Sequence, residues 1–285
     1  MKTEAYAKIN LILDLTGKLP DGYHAISTVM QTVSLADEVS LEITGGPTVL
    51  TCSDPTVPTD ERNTAFGAAE LFFARAGIDG GAAIHIKKNI PHEAGLGGGS
   101  ADAAAVLRML RLIYPSAVGE KELYDIALEI GADVPFCLKG GTALCLNKGE
   151  IMAPLPEFKS FCVIAKPSEG VSTGKAFARF DEAKSLRHPD MTGFLFHAAH
   201  GDYDGAFSCA SNIFEELTDI KSGGLIKKTL TENGAYFASM SGSGSAYYGL
   251  FNDRTYAELT AELLKKTVPF VAVCETTDGR MCPQD

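Results

Sequence analysis

The stretch NIPHEAGLGGGSADAAAVLRML, residues Asn89 to Leu110, places four glycines within five positions, Gly95 to Gly99, and then runs into an apolar pattern of helical period. Ala103, Val106, Leu107, Leu110, Ile113 and Tyr114 recur at intervals of three and four, Ser100 stands where a cap belongs, and Pro115 marks a stop. Upstream, Ala83 to Lys87 (AIHIK) reads as a short strand, so the order is strand, glycine loop, helix. Consecutive glycines let the backbone come close to an anion, and the free N–H groups opening the helix carry partial positive charge. A phosphate suits that loop; a turn that merely packs a helix on a sheet needs fewer glycines.

Two familiar phosphate designs are excluded by spacing. A Walker A loop requires a lysine and a hydroxyl residue after the last glycine, and no lysine follows Gly99. A dinucleotide fingerprint counted from Gly95 and Gly97 meets Ser100 at its third glycine, and the helix is followed by another helix rather than a second strand.

The 285 residues suffice for one large domain or two ordinary ones, and 45% hydrophobic with 21% charged residues can bury a sizeable core. A net charge of -11 repels nucleic-acid backbones and anionic headgroups, so neither nucleic acid nor membrane is an expected partner. An anionic small molecule must instead be met by local cations or aligned N–H groups. Seven cysteines, odd in number and without a C-x-x-C pair, argue for reduced thiols rather than a disulfide framework or zinc knuckle. The opening MKTEAYAKINLILDL is broken by Lys8, Asn10 and Asp14 and shows no cleavage site, and no window reaches 18 uninterrupted apolar residues. The expectation is a soluble cytoplasmic protein, a monomer or a homodimer.

Ala5 to Leu15 alternates, with Ala5, Ala7, Ile9, Leu11, Leu13 and Leu15 on one face and Tyr6, Lys8, Asn10, Ile12 and Asp14 on the other. Lys8 and Asn10 therefore point the same way. Pro20-Asp21-Gly22 reads as a turn, and runs at Thr28–Leu35 and Glu38–Ile43 predict an antiparallel meander. Asn63 to Ala76 has helical spacing with Asn63 or Thr64 as cap. Lys121 to Ile130 predicts a helix ending at Gly131, and ADVPFCL starts another, with Asp133 as N-cap and Pro135 in its first turn. After about Glu150 the text turns proline-rich, and the domain boundary is expected there, dividing residues 1–150 from 151–285. The second part alternates a strand at Phe161–Ala165, helices at Asn212–Leu217 and Gly223–Asn233, the glycine loop in YFASMSGSGSAYYGLF, a helix at Tyr256–Lys266 and the closing strand FVAVCETT. The fold class expected is α+β.

PHEAGLGGGSADAA resembles the phosphate-binding motif of the GHMP kinases, the superfamily of galactokinase, homoserine kinase and mevalonate kinase. AKIN near the start is similar to its first motif and SMSGSGSAYYGLF to its third glycine loop. The joint presence of AKINL with DGYH, and GADVPFCLKGGTALCLNKGE further on, resembles the branch whose substrate is a cytidine diphosphate-linked methylerythritol. The likeness spans nearly the whole chain. It departs at Ser245-Ala246, where many members carry Pro-Thr, and Ala183 to Gly205 shows no motif.

The resemblance implies a two-lobed fold of mixed and antiparallel sheets flanked by helices, an N-terminal ATP-binding domain, and a cleft between the lobes. It implies ATP-dependent phosphorylation of the 2-hydroxyl of that sugar alcohol in the non-mevalonate route to isoprenoid precursors. Asn63, Lys88 and the loop Gly95, Leu96, Gly97, Gly98, Gly99, Ser100 and Ala101 fall on the nucleotide side, although a lysine in a polar loop such as Lys88 is commonly just solvated. Lys8, by alternation alone, lies in solvent or in a cleft; the resemblance puts it in the cleft as the catalytic cation. Asp133 is the candidate general base, and if helix N–H groups held its carboxylate, the lowered pKa would make it orient the hydroxyl more than strip it. Asn10, Tyr23, His24, Thr173, Phe177, Ser241 and Gly242, with Asp133, fall on the acceptor side, Tyr23 and Phe177 as stacking faces and His24 as base-edge partner. Magnesium is implied by ATP, with ligands the sequence does not disclose. The alternatives left open are a homoserine or mevalonate type of kinase and a non-catalytic nucleotide-binding regulator.

Overall fold

The two longest strands organise everything else. β1 (Lys2–Lys18) and β2 (His24–Thr44) pair antiparallel from Lys2 opposite Ser40 to Lys18 opposite His24. The two runs expected around Thr28–Leu35 and Glu38–Ile43 are thus one continuous strand. Alternation along β1 is not strict: the register shifts between Tyr6 and Lys8, Asn10 and Ile12, and Leu15 and Gly17. At the first shift the extra residues lie in β2, whereas at the other two β1 carries one extra residue, which reverses the face that its next side chain takes. β1 feeds three core clusters in turn, with Ala5 in the first, Ala7, Ile9, Leu11 and Ile12 in the second, and, past the bulge at Asn10 to Ile12, Leu13 and Leu15 in the third. Ile12, expected on the polar face, is completely buried.

This computed structural model describes residues 1–20 and 22–279; Asp21 of the expected turn and Cys282 lie outside the described residues. After β2 come β3 (Val49–Cys52), α1 (Thr64–Ala76), β4 (Gly81–Lys87), α2 (Gly98–Ile113), α3 (Glu120–Ile130), α4 (Val134–Lys139), β5 (Thr142–Asn147) and β6 (Ile151–Pro154). The first sheet has the order β3-β4-β2-β5-β6 with β1 also on β2, and only its β3–β4 pair is parallel. The chain changes sheet between Pro154 and the next strand. There follow β7 (Phe161–Lys166), α5 (Thr173–Glu182), α6 (Met191–Ala199), α7 (Tyr203–Ser208), α8 (Phe214–Leu217), α9 (Gly223–Glu232), β8 (Phe237–Met240), β9 (Tyr247–Phe251), α10 (Arg254–Leu264) and β10 (Phe270–Glu275). The second sheet, β10-β7-β9-β8, is antiparallel throughout.

Two helix starts bear on the site. Asn63 caps α1, accepting from the Ala65 N–H at 2.9 Å. At α2 the expected Ser100 cap is not found: Gly97 takes the N-cap position at φ 70°, a left-handed conformation open to glycine, and Ser100 lies inside the first turn. No side chain caps α2, so its first N–H groups stay available to a ligand.

The halves are joined at β1 and β2. Leu13 bridges to Asn212, Val33 to Thr276, and the fully buried Tyr248 donates its hydroxyl to the Asn10 carbonyl at 2.8 Å. Tyr248→Phe removes that bond without opening a cavity; the expected loss is about 1 kcal/mol of unfolding free energy, read from the denaturant midpoint at unchanged slope.

Candidate active site

Lys8 sits where both glycine loops meet. Its backbone N–H donates to the Leu96 carbonyl at 2.9 Å, which fastens β1 to the loop before α2. Its stem runs along Gly97, where a Cβ would stand 3.0 Å from Lys8 Cγ. The residue is only 4% exposed, lining the cleft rather than facing open solvent, and its ammonium donates to Asn10 Oδ1 at 2.9 Å. Asn10 is oriented in turn, its amide donating to the Thr28 hydroxyl at 2.9 Å, which donates to the Ile12 carbonyl at 2.7 Å. Lys8 and Asn10 therefore share a face, as alternation required.

The ammonium also lies 3.3 Å from Asp133 Oδ2. Asp133 does occupy the N-cap position of α4, but its side chain makes no capping bond. Its backbone is αR, not extended, and the second helical residue is Pro135, which has no N–H to give. The expectation of a carboxylate restrained by helix N–H groups is thus corrected: its charged partner is Lys8, and its side chain, 30% exposed, remains open to the cleft. Burial, reinforced by the Asp133 charge, pushes the neighbouring thiols of Cys137 and Cys145 to about 12, so neither is a thiolate nucleophile near neutrality.

The glycine loop is a partition between two cavities. On one side is a cleft of about 1420 Å³ that holds Lys8, Asn10 and Asp133. On the other is a cavity of about 320 Å³ lined by Asn63, Lys88 and the loop itself. Gly95, Gly97 and Ser100 belong to both walls. Leu96 and Ala101 turn their side chains into the core.

Lys88 is not a solvated lysine. Its ammonium is buried between the Asp37 carboxylate and Asp102, the latter at 2.8 Å. Asp37, fully buried, also accepts the backbone N–H groups of Asn89 and Ile90 at 2.6 and 2.8 Å. Burial pushes the Asp102 carboxyl up, to about 7, with Lys88 pulling it down and Asp37 pushing it further up. Burial alone would lower Lys88, but its two carboxylates carry it above the usual lysine value.

The large cleft also gathers Tyr23, His24, Thr173, Phe177 and Gly242, the residues expected on the acceptor side. His24 lies flat on Phe177, with centroids 4.7 Å apart and planes 17° apart, so one face of Phe177 is already covered. Tyr23 is 65% exposed, with the Lys148 ammonium 4.4 Å from its ring centroid. The Thr173 hydroxyl is bonded to that of Ser243 at 2.8 Å. Ser241 lines neither of these two cavities: it is fully buried and donates to the Gly95 carbonyl at 2.9 Å, which bolts the two glycine loops together. Asn212, buried beneath, donates to the Met240 and Gly242 carbonyls, both at 2.8 Å.

Asp37, Asp102, Asn212 and Asp181, which contacts His24, were not legible as site residues. Only Asp102 carries a local signal, an acid inside the apolar run ADAAAV. Among the described residues no three His, Cys, Asp or Glu side chains gather as a metal cluster, and no helix is long and apolar enough to cross a membrane.

Gly95 has φ 75°, and a Cβ there would be driven into the Ser241 carbonyl oxygen. Gly95→Ala is expected to cost at least about 1 to 2 kcal/mol from backbone handedness alone, and to lower melting temperature and turnover together. Gly45→Ala, which meets open space, leaves both unchanged.

Comparison with known proteins accords with this geometry. The pattern of the GHMP kinases N terminal domain matches residues 63–141 and that of GHMP kinases C terminal matches residues 224–269. A protein of Clostridium botulinum (strain Loch Maree / Type A3) named 4-diphosphocytidyl-2-C-methyl-D-erythritol kinase is 40% identical, over 97% of this chain and 100% of its own length. One of Clostridium beijerinckii with the same name is 39% identical with the same coverage. A solved 4-(cytidine 5'-diphospho)-2C-methyl-D-erythritol kinase superposes with a TM-score of 0.81 at 31% identity, covering 97% of this chain and 99% of that one. A homoserine kinase from Cytophaga hutchinsonii shares the fold, with a TM-score of 0.73 at 21% identity over 98% and 94% of the two chains. With a TM-score of 0.81, two glycine loops closing on one buried lysine, and near-complete coverage of its relatives, the chain belongs to the GHMP kinases, in the 4-diphosphocytidyl-2-C-methyl-D-erythritol kinase family.

Proposed function

We propose that this chain transfers the γ-phosphoryl group of ATP to the 2-hydroxyl of 4-diphosphocytidyl-2-C-methyl-D-erythritol, releasing ADP, and that it does so in the cytoplasm. The observation that carries the reading is the Lys8–Asp133 pair, 3.3 Å apart, standing against the wall that two cavities share. A nucleotide in the smaller cavity reaches the larger one only across the loop, where its phosphates meet the uncapped N–H groups of α2. None of the six described cysteines is in a disulfide, which suits a reducing compartment.

Phosphoryl transfer asks for positioning and charge stabilisation more than covalent help. Asp133 accepts a hydrogen bond from the acceptor hydroxyl and turns its oxygen toward the γ-phosphorus. As the new O–P bond forms and the bond to the bridging oxygen of ADP breaks, the hydroxyl proton passes to the Asp133 carboxylate. Lys8, held by Asn10 and unable to swing into solvent, places its charge beside the transferring oxygens. Magnesium would arrive with ATP and would supply further charge neutralisation; Ser100 and Asp133, oxygen-bearing residues that line the cleft, would fit an ion held chiefly by phosphates and water.

The aromatic end of the cleft separates this reading from a homoserine or mevalonate type of kinase, since Tyr23, His24 and Phe177 suit a base that those acceptors lack. A regulator that binds nucleotide without chemistry has no use for a buried lysine paired to a cleft carboxylate.

ADP release coupled to the cytidyl acceptor, homoserine and mevalonate in parallel is the test. Turnover is expected with the first alone, and Asp133→Asn is expected to lower kcat by about a hundredfold or more with KM for ATP unchanged. Silence with the cytidyl acceptor from folded, ATP-binding protein sinks the proposal. Tyr23→Ala is expected to weaken acceptor binding by about 1 to 3 kcal/mol while sparing ATP; equal losses for both substrates would remove Tyr23 from the acceptor site.

A further inference from the structure

At the base end of the large cleft, one carboxylate makes contacts that the phosphoryl transfer does not use. Asp181, in the last turn of α5, meets His24 Nε2 at 2.7 Å through Oδ1 and the Lys18 ammonium at 3.0 Å through Oδ2. Lys18 ends β1 and His24 begins β2, opposite each other in the ladder. A residue from the C-terminal half thus grips both arms of the hairpin that carries Tyr23. The His24 ring has two walls besides, lying flat on Phe177 at 4.7 Å and meeting Phe180 edge-on at 5.6 Å. Its side chain is 10% exposed, against 38% for Asp181.

The hydrogen bonds from His24 and Lys18 hold the Asp181 carboxyl below the usual carboxylate range, so it stays ionised at neutral pH. An ionised carboxylate can only accept. Whenever the imidazole is neutral, the bond to that carboxylate through Nε2 keeps its proton there and leaves Nδ1 as an acceptor. An acceptor complements the exocyclic amino group of cytosine and opposes the carbonyl that uracil carries at the same place.

We propose that Asp181 is a positioning residue that fixes the plane and tautomer of His24, and that it thereby makes the cleft select an amino-bearing pyrimidine over a keto-bearing one. The inference rests on the reading of the base end given under Proposed function. Asp181 touches no reacting atom; it acts through the imidazole.

The test is competitive inhibition by CMP and UMP against the cytidyl acceptor at saturating ATP, with the full chain and with melting temperature as the folding control. In the wild type CMP is expected to bind more tightly than UMP. Asp181→Asn is expected to lower the CMP-to-UMP affinity ratio about tenfold, as loss of a charge-assisted bond does, and to raise the acceptor KM similarly, with kcat and the KM for ATP within about twofold. Asp181→Glu restores part of the ratio. Lys18→Met, which frees one arm of the hairpin and leaves the His24 contact, is expected to keep the ratio. Nitrogen NMR of His24 is expected to show protonation at Nε2 in the wild type and mixed tautomers in Asp181→Asn.

An unchanged ratio in folded Asp181→Asn, an equal fall in Lys18→Met, or a wild-type proton on Nδ1 overturns the inference. Turnover of the cytidyl acceptor with a ratio insensitive to Asp181 defeats this inference alone; neither turnover nor CMP binding defeats the function on which it rests.

Discussion

A buried ammonium governs this molecule. Removing the Lys8 charge from water is costly unless hydrogen bonds and an opposite charge replace what water supplied, and Asn10 and Asp133 are the replacements. The surroundings follow from giving that side chain room. Gly97 lies against its stem, and Gly242 brings the third loop to its head, with space where a Cβ would stand 3.5 Å from the ammonium. Asn10 is held by Thr28, and Tyr248 closes over the backbone of the same strand. The bulge after Asn10 serves the same end, since it hands Leu13 and Leu15 to the third core just past the point where Lys8 and Asn10 face the cleft.

Period and spacing revealed a good deal. The glycine loop followed by a long apolar helix, the shared face of Lys8 and Asn10, the Asn63 cap and the closing strand are local properties, and the structure has them where pattern places them. The GHMP kinase likeness added the two-lobed architecture. What could not be read depends on partners distant in sequence. Asp37 looks like the end of a strand until Lys88 and two backbone N–H groups are brought to it. Lys88 reads as a solvated loop lysine because its two carboxylates lie 51 and 14 residues away. The α4 start shows a different limit: Asp before a short helix signals a cap, yet the proline that also favours a first turn deletes the N–H the cap needs.

The loop at Gly95 to Ser100 is both floor and doorway. Its backbone is the material shared by two cavities of unequal size, and a ligand spanning them is gripped by main chain at its middle and by side chains at its ends. The two cavities are thus lined differently, the larger with Tyr23, His24 and Phe177 at one end and the smaller with Arg62, Lys88 and Asp102. The Lys8–Asp133 pair stands on the larger side of the loop, and Asp181 holds His24 at the far end of that same cleft.

The bond from Tyr248 to Asn10 spans 238 residues, and Asn212 reaches back to Leu13. During synthesis β1 leaves the ribosome first and can pair with β2 at once, but its second and third cores are supplied by residues made near the end. Val29, Val33, Ile90, Ala94 and Leu96 can cover part of the second core early, but the rest of the cover for Ala7 to Leu15 comes late. The strand that carries Lys8 therefore waits for part of its cover until the last strands are made, which leaves apolar surface on which holding chaperones would act.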